Sequence, residues 1–182
     1  TTGTAVPGYR VRLVDENGTP VERGEIGDLE VSGPTAATCY WNQRERTRQT
    51  FCGEWTKTGD KFCEDADGYL VHCGRTDDML KVGGIWVSPG EVESALIAHE
   101  SVLECAVIGV ADDAGLVKPK AFIVLKEGFA GSAAHVEALQ QHVKARLAPY
   151  KYPRWIEFVG ELPKTATGKI RRVALRELER VR

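Results

Sequence analysis

Residues 74–91 read GRTDDMLKVGGIWVSPGE, and the texture of the chain changes across them. Before this stretch the sequence runs in short alternating pieces broken by glycine. After it, apolar residues recur at helical spacing. Ser88-Pro89-Gly90-Glu91 spells a capping box with proline at the first helical position, so it opens a helix. Val92, Ala95 and Leu96 share one face of that helix, which is expected to end near His99. Gly83-Gly84 lets the backbone take a positive φ or lie close against a ligand. Asp77-Asp78 stands where the composition changes, a sensible place for a hinge. Arg75 carries a donor fork suited to ribose or phosphate. A charged linker with a glycine turn would carry the same residues, so by itself the stretch divides the chain without assigning a chemistry.

Upstream, residues 9–14 alternate, Asn17-Gly18 is a hairpin signal, and residues 27–31 supply the return strand. Residues 40–51 suggest a short polar helix, and residues 54–60 and 68–71 two further strands. This part is strand-rich and too short to bury a comfortable core of its own. Downstream, residues 102–110, 120–126 and 155–159 read as three strands. Residues 132–147 form an amphipathic helix with Val136, Leu139, Val143 and Leu147 on one face, ended by Pro149. Residues 170–181 form a last helix with Ile170, Ala174, Leu178 and Val181 turned inward. Three strands and three helices make a small α+β domain.

The 182 residues carry 24 Lys and Arg against 26 Asp and Glu, a net charge of −2. That balance offers nucleic acid or an anionic membrane no bulk attraction. No apolar run approaches the roughly 20 residues a membrane helix needs. The five cysteines show no CxxC spacing, which fits reduced thiols in a cytoplasmic protein. His72 beside Cys73 has no second ligand pair at metal-site spacing, and the histidines are given no role. The chain opens TTGTAVPGYR, without Met or a secretory signal, as though cut from a longer protein.

Two more stretches carry chemistry. Thr58-Gly59-Asp60 follows a strand, and its glycine allows a turn that presents Asp60 at the rim. A carboxylate there can accept from two vicinal hydroxyls, as on a ribose. Residues 163–172 read PKTATGKIRR, where Pro163 and Gly168 make an exposed loop ahead of the last helix. Thr165, Thr167, Gly168 and Lys169 can donate to a phosphate, and a lysine on such a loop can be carried to a substrate and withdrawn. Ile170 after Lys169 excludes a Walker loop. Arg171, Arg172, Arg176, Arg180 and Arg182 make the tail basic, but Glu177 and Glu179 dilute it, so nucleic acid is not the expected partner.

Taken in order, these stretches are more specific than any one of them. WTKTGD (55–60), GRTDDMLKVGG-WVSP-EVE (74–93, with Ile85 and Gly90 in the gaps) and LPKTATGKIRR (162–172) resemble the adenylate-forming superfamily. That group comprises acyl- and aryl-CoA synthetases, peptide-synthetase adenylation domains and beetle luciferases. The resemblance covers essentially the whole chain, and the GGIWVSP variant with YWNQRERTRQTFCGEWTKTGDKF is most similar to the benzoate-CoA ligases within it. It implies a C-terminal fragment. Residues 1–74 would be the last β-rich subdomain of a large N-terminal domain, and residues 75–182 a small mobile α+β lid with a three-stranded sheet.

The resemblance also implies a reaction in two half-steps. A small carboxylic acid attacks the α-phosphate of ATP, held with Mg2+, to give an acyl-adenylate; the thiol of coenzyme A then displaces AMP. Lys169 would be the adenylation lysine, and Asp60 and Arg75 would hold the ribose of ATP or AMP. Asp77 would be the pivot between half-steps. Gly83 and Gly84 would line the pantetheine channel, on the face of the lid opposite Lys169. Lys151 and Arg154 would meet the phosphates of CoA. No Mg2+ ligand is expected in these residues, and the phosphate loop and acyl pocket would belong to the missing N-terminal domain. An aromatic acid such as benzoate is the expected substrate. A fatty acyl-CoA synthetase, a peptide-synthetase adenylation domain, or a non-catalytic interaction module built on the same small domain are the other readings.

Overall fold

Arginine, valine and leucine alternate through β1 (Arg10–Val14), which pairs antiparallel with β2 (Gly27–Ser32) from Arg10 opposite Ser32 to Val14 opposite Asp28. The computed structural model describes residues 1–180 and divides into two units after Asp77. The first unit adds a short helix, α1 (Arg44–Thr50), and three strands, β3 (Phe51–Cys52), β4 (Trp55–Glu64) and β5 (Leu70–Arg75). The strands form one antiparallel sheet ordered β1-β2-β4-β3, with β5 also on β4. Val14, Leu29 and Phe62 are its buried apolar residues among those described, beside the buried polar Glu30, Ser32 and Lys61. The Asn17-Gly18 signal marks a turn, with Gly18 at φ 82°, but not the link between the first two strands. The turn closes on itself through a bridge from Val14 to Pro20, and β2 begins only at Gly27.

The second unit opens with a hairpin the sequence pattern did not predict, β6 (Leu80–Val82) against β7 (Ile85–Val87). Gly83 and Gly84 connect them at φ 58° and 86°. A two-residue turn with both central residues at positive φ matches the twist of paired strands, which is why both are glycine. Next come α2 (Pro89–Ile97), β8 (Val102–Ala111), β9 (Val117–Leu125), α3 (Ala133–Lys144), a 3-10 turn (Pro149–Lys151), β10 (Trp155–Phe158) and α4 (Arg172–Arg180). The sheet order is β10-β9-β8, antiparallel between β8 and β9 and parallel between β9 and β10.

Side chains alternate across a strand, so the apolar run Cys105-Ala106-Val107-Ile108 serves two cores at once. Cys105 and Val107 join Val92, Leu96, Leu139 and Val143 of α2 and α3. Ala106 and Ile108 join Phe122, Leu162 and Leu175 beneath α4. Both faces being covered, the strand has no polar alternation, and the result is the α+β domain that the pattern predicts.

Four details differ from the sequence reading. α3 ends at Lys144, and Pro149 starts the 3-10 turn instead of stopping the helix. Leu147 therefore lies past the helix, though it still packs on the first cluster. The capping box is half formed: Ser88 Oγ accepts from Glu91 N–H at 3.3 Å, while the Glu91 carboxylate turns to Lys151. In α4 the buried residue is Leu175, and Leu178 is 57% exposed. Ile170 packs on the second cluster as expected, but it is extended and bridged to Lys164, and the helical period starts only at Arg172, which shifts the inward face. Val181 lies outside the described residues.

Gly84→Ala should lower the stability of the chain by about 1 kcal/mol, because an L residue is strained in the left-handed region. Gly84→Asn should lose less, since asparagine tolerates that conformation. Urea unfolding midpoints would test this ranking.

Candidate functional site

Opposite Leu29, β4 carries three residues, Thr58, Gly59 and Asp60: Glu30 pairs with Lys57 and Asp28 with Lys61. The expected turn at a strand end is thus a bulge within a strand. Gly59 takes φ 75°, Thr58 Oγ1 donates to Leu29 O at 2.9 Å, and Asp60 N–H donates to Thr58 Oγ1 at 3.2 Å. The bulge sets Asp60 opposite Arg75 of β5, whose Nη1 donates to Asp60 Oδ1 at 3.0 Å. A Cβ at Gly59 would lie 3.0 Å from Arg75 Nη2, a contact the exposed guanidinium could relieve by a small shift, so it is the positive φ that favours glycine here. Both partners keep solvent access, which makes this a presented pair more than a structural one. Beside it opens a cleft of about 560 Å³ lined by Leu29, Tyr40, Lys57, Gly59, Arg75 and Thr76.

The bulge also hides a lysine. Lys61 is 1% exposed, and its ammonium lies 3.1 Å from Asp28 Oδ2. Asp28 Oδ1 accepts from Thr76 Oγ1 at 2.7 Å, and Thr76 N–H donates to Gly59 O at 2.9 Å. The backbone leading to Asp77 is thereby tied to the bulge that presents Asp60. Neither Asp28 nor Lys61 was singled out from the sequence; only the strand pairing that sets them opposite one another reveals them.

In the second unit, Glu93 of α2 accepts from Val107 N–H on the edge strand β8 at 2.8 Å. The same carboxylate takes two bonds from Arg172 Nη2, at 2.8 and 2.7 Å. Asp78 lies 3.6 Å from Arg172 Nη1 and is bonded by Arg176. Two carboxylates and two guanidinium groups balance. Burial alone would lower the Arg172 value, but bonding to Glu93 and the charges of Glu93 and Asp78 outweigh it and raise it. Cys105, buried beside them, donates to Glu93 O at 3.4 Å; burial first and the Glu93 charge second push its thiol up to about 12. Arg172 read as one more charge of a basic tail, and its partners come from other elements.

Lys169 sits on a tight exposed turn. Thr165 N–H donates to Lys169 O at 2.8 Å, and Gly168 N–H to Thr165 O at 2.9 Å. The backbone is closed, while the Lys169 ammonium makes no ion pair among the described residues. Gly83 and Gly84 form the hairpin tip, where an added Cβ would meet nothing within 4 Å. Lys151 is committed elsewhere: its ammonium lies 2.7 Å from both Glu91 oxygens. Arg154 is exposed and donates to Tyr152 Oη at 2.8 Å. Asp60, Arg75 and Asp77 belong to the first unit, and Gly83, Gly84, Lys151, Arg154 and Lys169 to the second. Among the described residues, no group of three or more His, Cys, Asp or Glu could hold a metal ion. No helix among them is long and apolar enough to cross a membrane.

Residues 91–169 match the AMP-binding enzyme C-terminal domain. The chain is 60% identical over 97% of its length to a benzoate–CoA ligase of Thauera aromatica, covering 34% of that protein. It is 55% identical over 98% of its length to a 4-hydroxybenzoate–CoA/benzoate–CoA ligase of Rhodopseudomonas palustris, covering 33% of it. A crystal structure of an anthranilate CoA ligase in complex with anthranoyl-AMP superposes with a TM-score of 0.86 at 57% identity, over 97% of this chain and 34% of that one. The chain thus spans about a third of the length of the relatives it matches.

Cys105 supplies a test of the buried network. In the folded chain at pH 8 it should resist iodoacetamide, while the exposed Cys39 and Cys52 react. Its folded value stands above the ordinary 9.0, so its contribution to stability is whole below that pH and is lost as pH rises towards about 12. Cys105→Ala should flatten the alkaline decline in the urea midpoint.

Proposed function

We propose that this chain, whose residues 91–169 match the AMP-binding enzyme C-terminal domain, is the C-terminal part of an ATP-dependent acid–CoA ligase acting on benzoate or a related aromatic acid. The observation that carries this reading is identity of 60% along 97% of the chain with a benzoate–CoA ligase. A larger N-terminal domain of the same polypeptide would supply the phosphate loop and acyl pocket. The few buried apolar residues of the first unit fit a sheet that belongs to a larger body. A fatty acyl-CoA synthetase or a peptide-synthetase adenylation domain is the weaker reading, because aromatic acid–CoA ligases match at 55–60% identity.

In the first half-step negative charge gathers where the carboxylate meets the α-phosphate. The Lys169 ammonium, held on a closed turn and without an ion pair among the described residues, suits that place, where one preorganised donor is worth roughly 3–4 kcal/mol. The Asp60 carboxylate and the Arg75 guanidinium would hold the ribose: the acid accepts from its hydroxyls and the arginine keeps the acid in position. Asp77 would be the pivot that carries Lys169 away before coenzyme A enters. The Gly83-Gly84 tip, bare of side chains, would pass the pantetheine arm. Arg154 is better placed than Lys151 to meet a CoA phosphate, since Lys151 must first leave Glu91. Mg2+ would arrive with ATP as part of the substrate, and none of this chain's residues is assigned to it.

Two assays on the full-length enzyme test the reading. Lys169→Ala should slow single-turnover adenylate formation by about 10²–10³-fold and leave thioester formation from supplied adenylate nearly intact. Gly84→Leu should do the reverse, and its retained adenylation would show that the hairpin still folds. Equal damage to both half-steps by both variants would sink the lid reading. The chain alone should release no pyrophosphate in response to benzoate and ATP; release above a buffer control would show that it needs no further domain.

A further inference from the structure

Among the described residues the same turn is built four times. Asp15 N–H donates to Thr19 O and Gly18 N–H to Asp15 O, at 2.8 and 3.1 Å. The same two bonds join Asp65 with Tyr69 and Gly68, at 2.9 and 3.1 Å, and Asp112 with Leu116 and Gly115, at 3.0 and 2.8 Å. They join Thr165 with Lys169 and Gly168 at 2.8 and 2.9 Å. Each fourth residue is a glycine, at φ 82°, 85°, 74° and 81°.

The side chains that close the turns differ in one respect. Asp15 Oδ1 accepts from Asn17 and Thr19 N–H, both at 2.8 Å. Asp65 Oδ1 accepts from Asp67 and Tyr69 N–H at 3.1 and 2.8 Å, and Asp112 Oδ1 from Ala114 and Leu116 N–H at 3.1 and 2.9 Å. In the fourth turn a hydroxyl stands where the others have a carboxylate. Thr165 Oγ1 accepts from Lys169 N–H at 3.1 Å, and its second contact is the Thr167 hydroxyl at 2.9 Å. Charge-assisted bonds are about twice as strong as neutral ones, so the fourth turn has the weaker closure. It is also the one whose fifth residue is a cation; the other three end on Thr19, Tyr69 and Leu116. No Asp or Glu occurs between Glu161 and Glu177, and the neighbouring Lys164 is paired with Glu104 at 2.7 Å.

We infer that Thr165 is a positioning residue, which closes the Lys169 turn with an uncharged acceptor so that no anion stands beside the lysine. An aspartate there would close the turn at least as well, but its carboxylate would capture the ammonium and repel a phosphate. The inference rests on the role proposed above for Lys169.

The test compares Thr165→Asp with Thr165→Asn, which offers the same acceptor geometry without the charge, and with Thr165→Ser. On the chain itself, Lys169 is labelled with limiting acetic anhydride and quantified by mass spectrometry against the exposed Lys126. Thr165→Asp should slow labelling of Lys169 about two- to fivefold, the scale of an exposed ion pair. In the full-length enzyme it should slow adenylate formation about tenfold, a partial loss of one donor, with thioester formation from supplied adenylate unchanged. Thr165→Asn and Thr165→Ser should label at Lys169 near the wild-type rate, and both should form adenylate faster than Thr165→Asp. If the Asp and Asn variants behave alike in labelling or in adenylation, the charge is irrelevant and the inference falls. A Lys169→Ala control that adenylates normally would overturn the proposed role of the lysine, while the labelling comparison would still judge the turn.

Discussion

The carboxylate of Glu93 holds the second unit together at the point where its layers meet. It takes a backbone N–H from the edge of the sheet at Val107 and the guanidinium fork of Arg172 from the first turn of α4. Through Arg172 and Arg176 the same network reaches Asp78, where the unit begins. Glu93 is buried while Arg172, Asp78 and Arg176 keep partial access to water, so removing one member should cost less than the roughly 3–5 kcal/mol of a fully buried pair. The apolar clusters on either face of the sheet supply the bulk of the burial. The ionic network decides how α2, β8 and α4 are placed against one another.

That placement bears on the lysine loop. Arg172 follows Lys169 by three positions, so the loop leaves the body of the domain where Lys164 pairs with Glu104 and returns to it at an anchored helix end. Between these anchors the backbone is a closed turn. The catalytic role proposed for Lys169 would gain from this arrangement, because the backbone need not be ordered at each encounter. In the first unit the β4 bulge plays the corresponding part. It lifts Asp60 out of the regular ladder and sets it on Arg75, while the hidden Lys61–Asp28–Thr76 chain steadies the strand exit that leads to Asp77.

Local signals carried the sequence reading a long way. The composition break near Asp77, the Ser88 cap, the apolar runs of β8 and β9 and the exposed PKTATGKIRR loop all depend on neighbours within a few positions. Backbone preference and side-chain period therefore express them directly. The stretches proposed to carry the chemistry stand out for the same reason, as each is a short glycine-containing segment. The Gly83-Gly84 hairpin escaped because its strands are three residues each, too short for alternation to register.

Tertiary structure decided what no local window holds. Lys61 became a buried partner of Asp28 only when strands more than thirty residues apart were paired. Arg172 ceased to be a tail charge when α4 docked near Glu93, and Leu175 displaced Leu178 as the buried residue because that docking sets the helix phase. Lys151 was drawn to Glu91 by the position of the 3-10 turn beside α2. Sequence alone named the glycines, the lysine and the presented aspartate, since turn chemistry is written into adjacent residues. Which charges are buried, and against which partners, depends on desolvation and distance, and these exist only once the chain is folded.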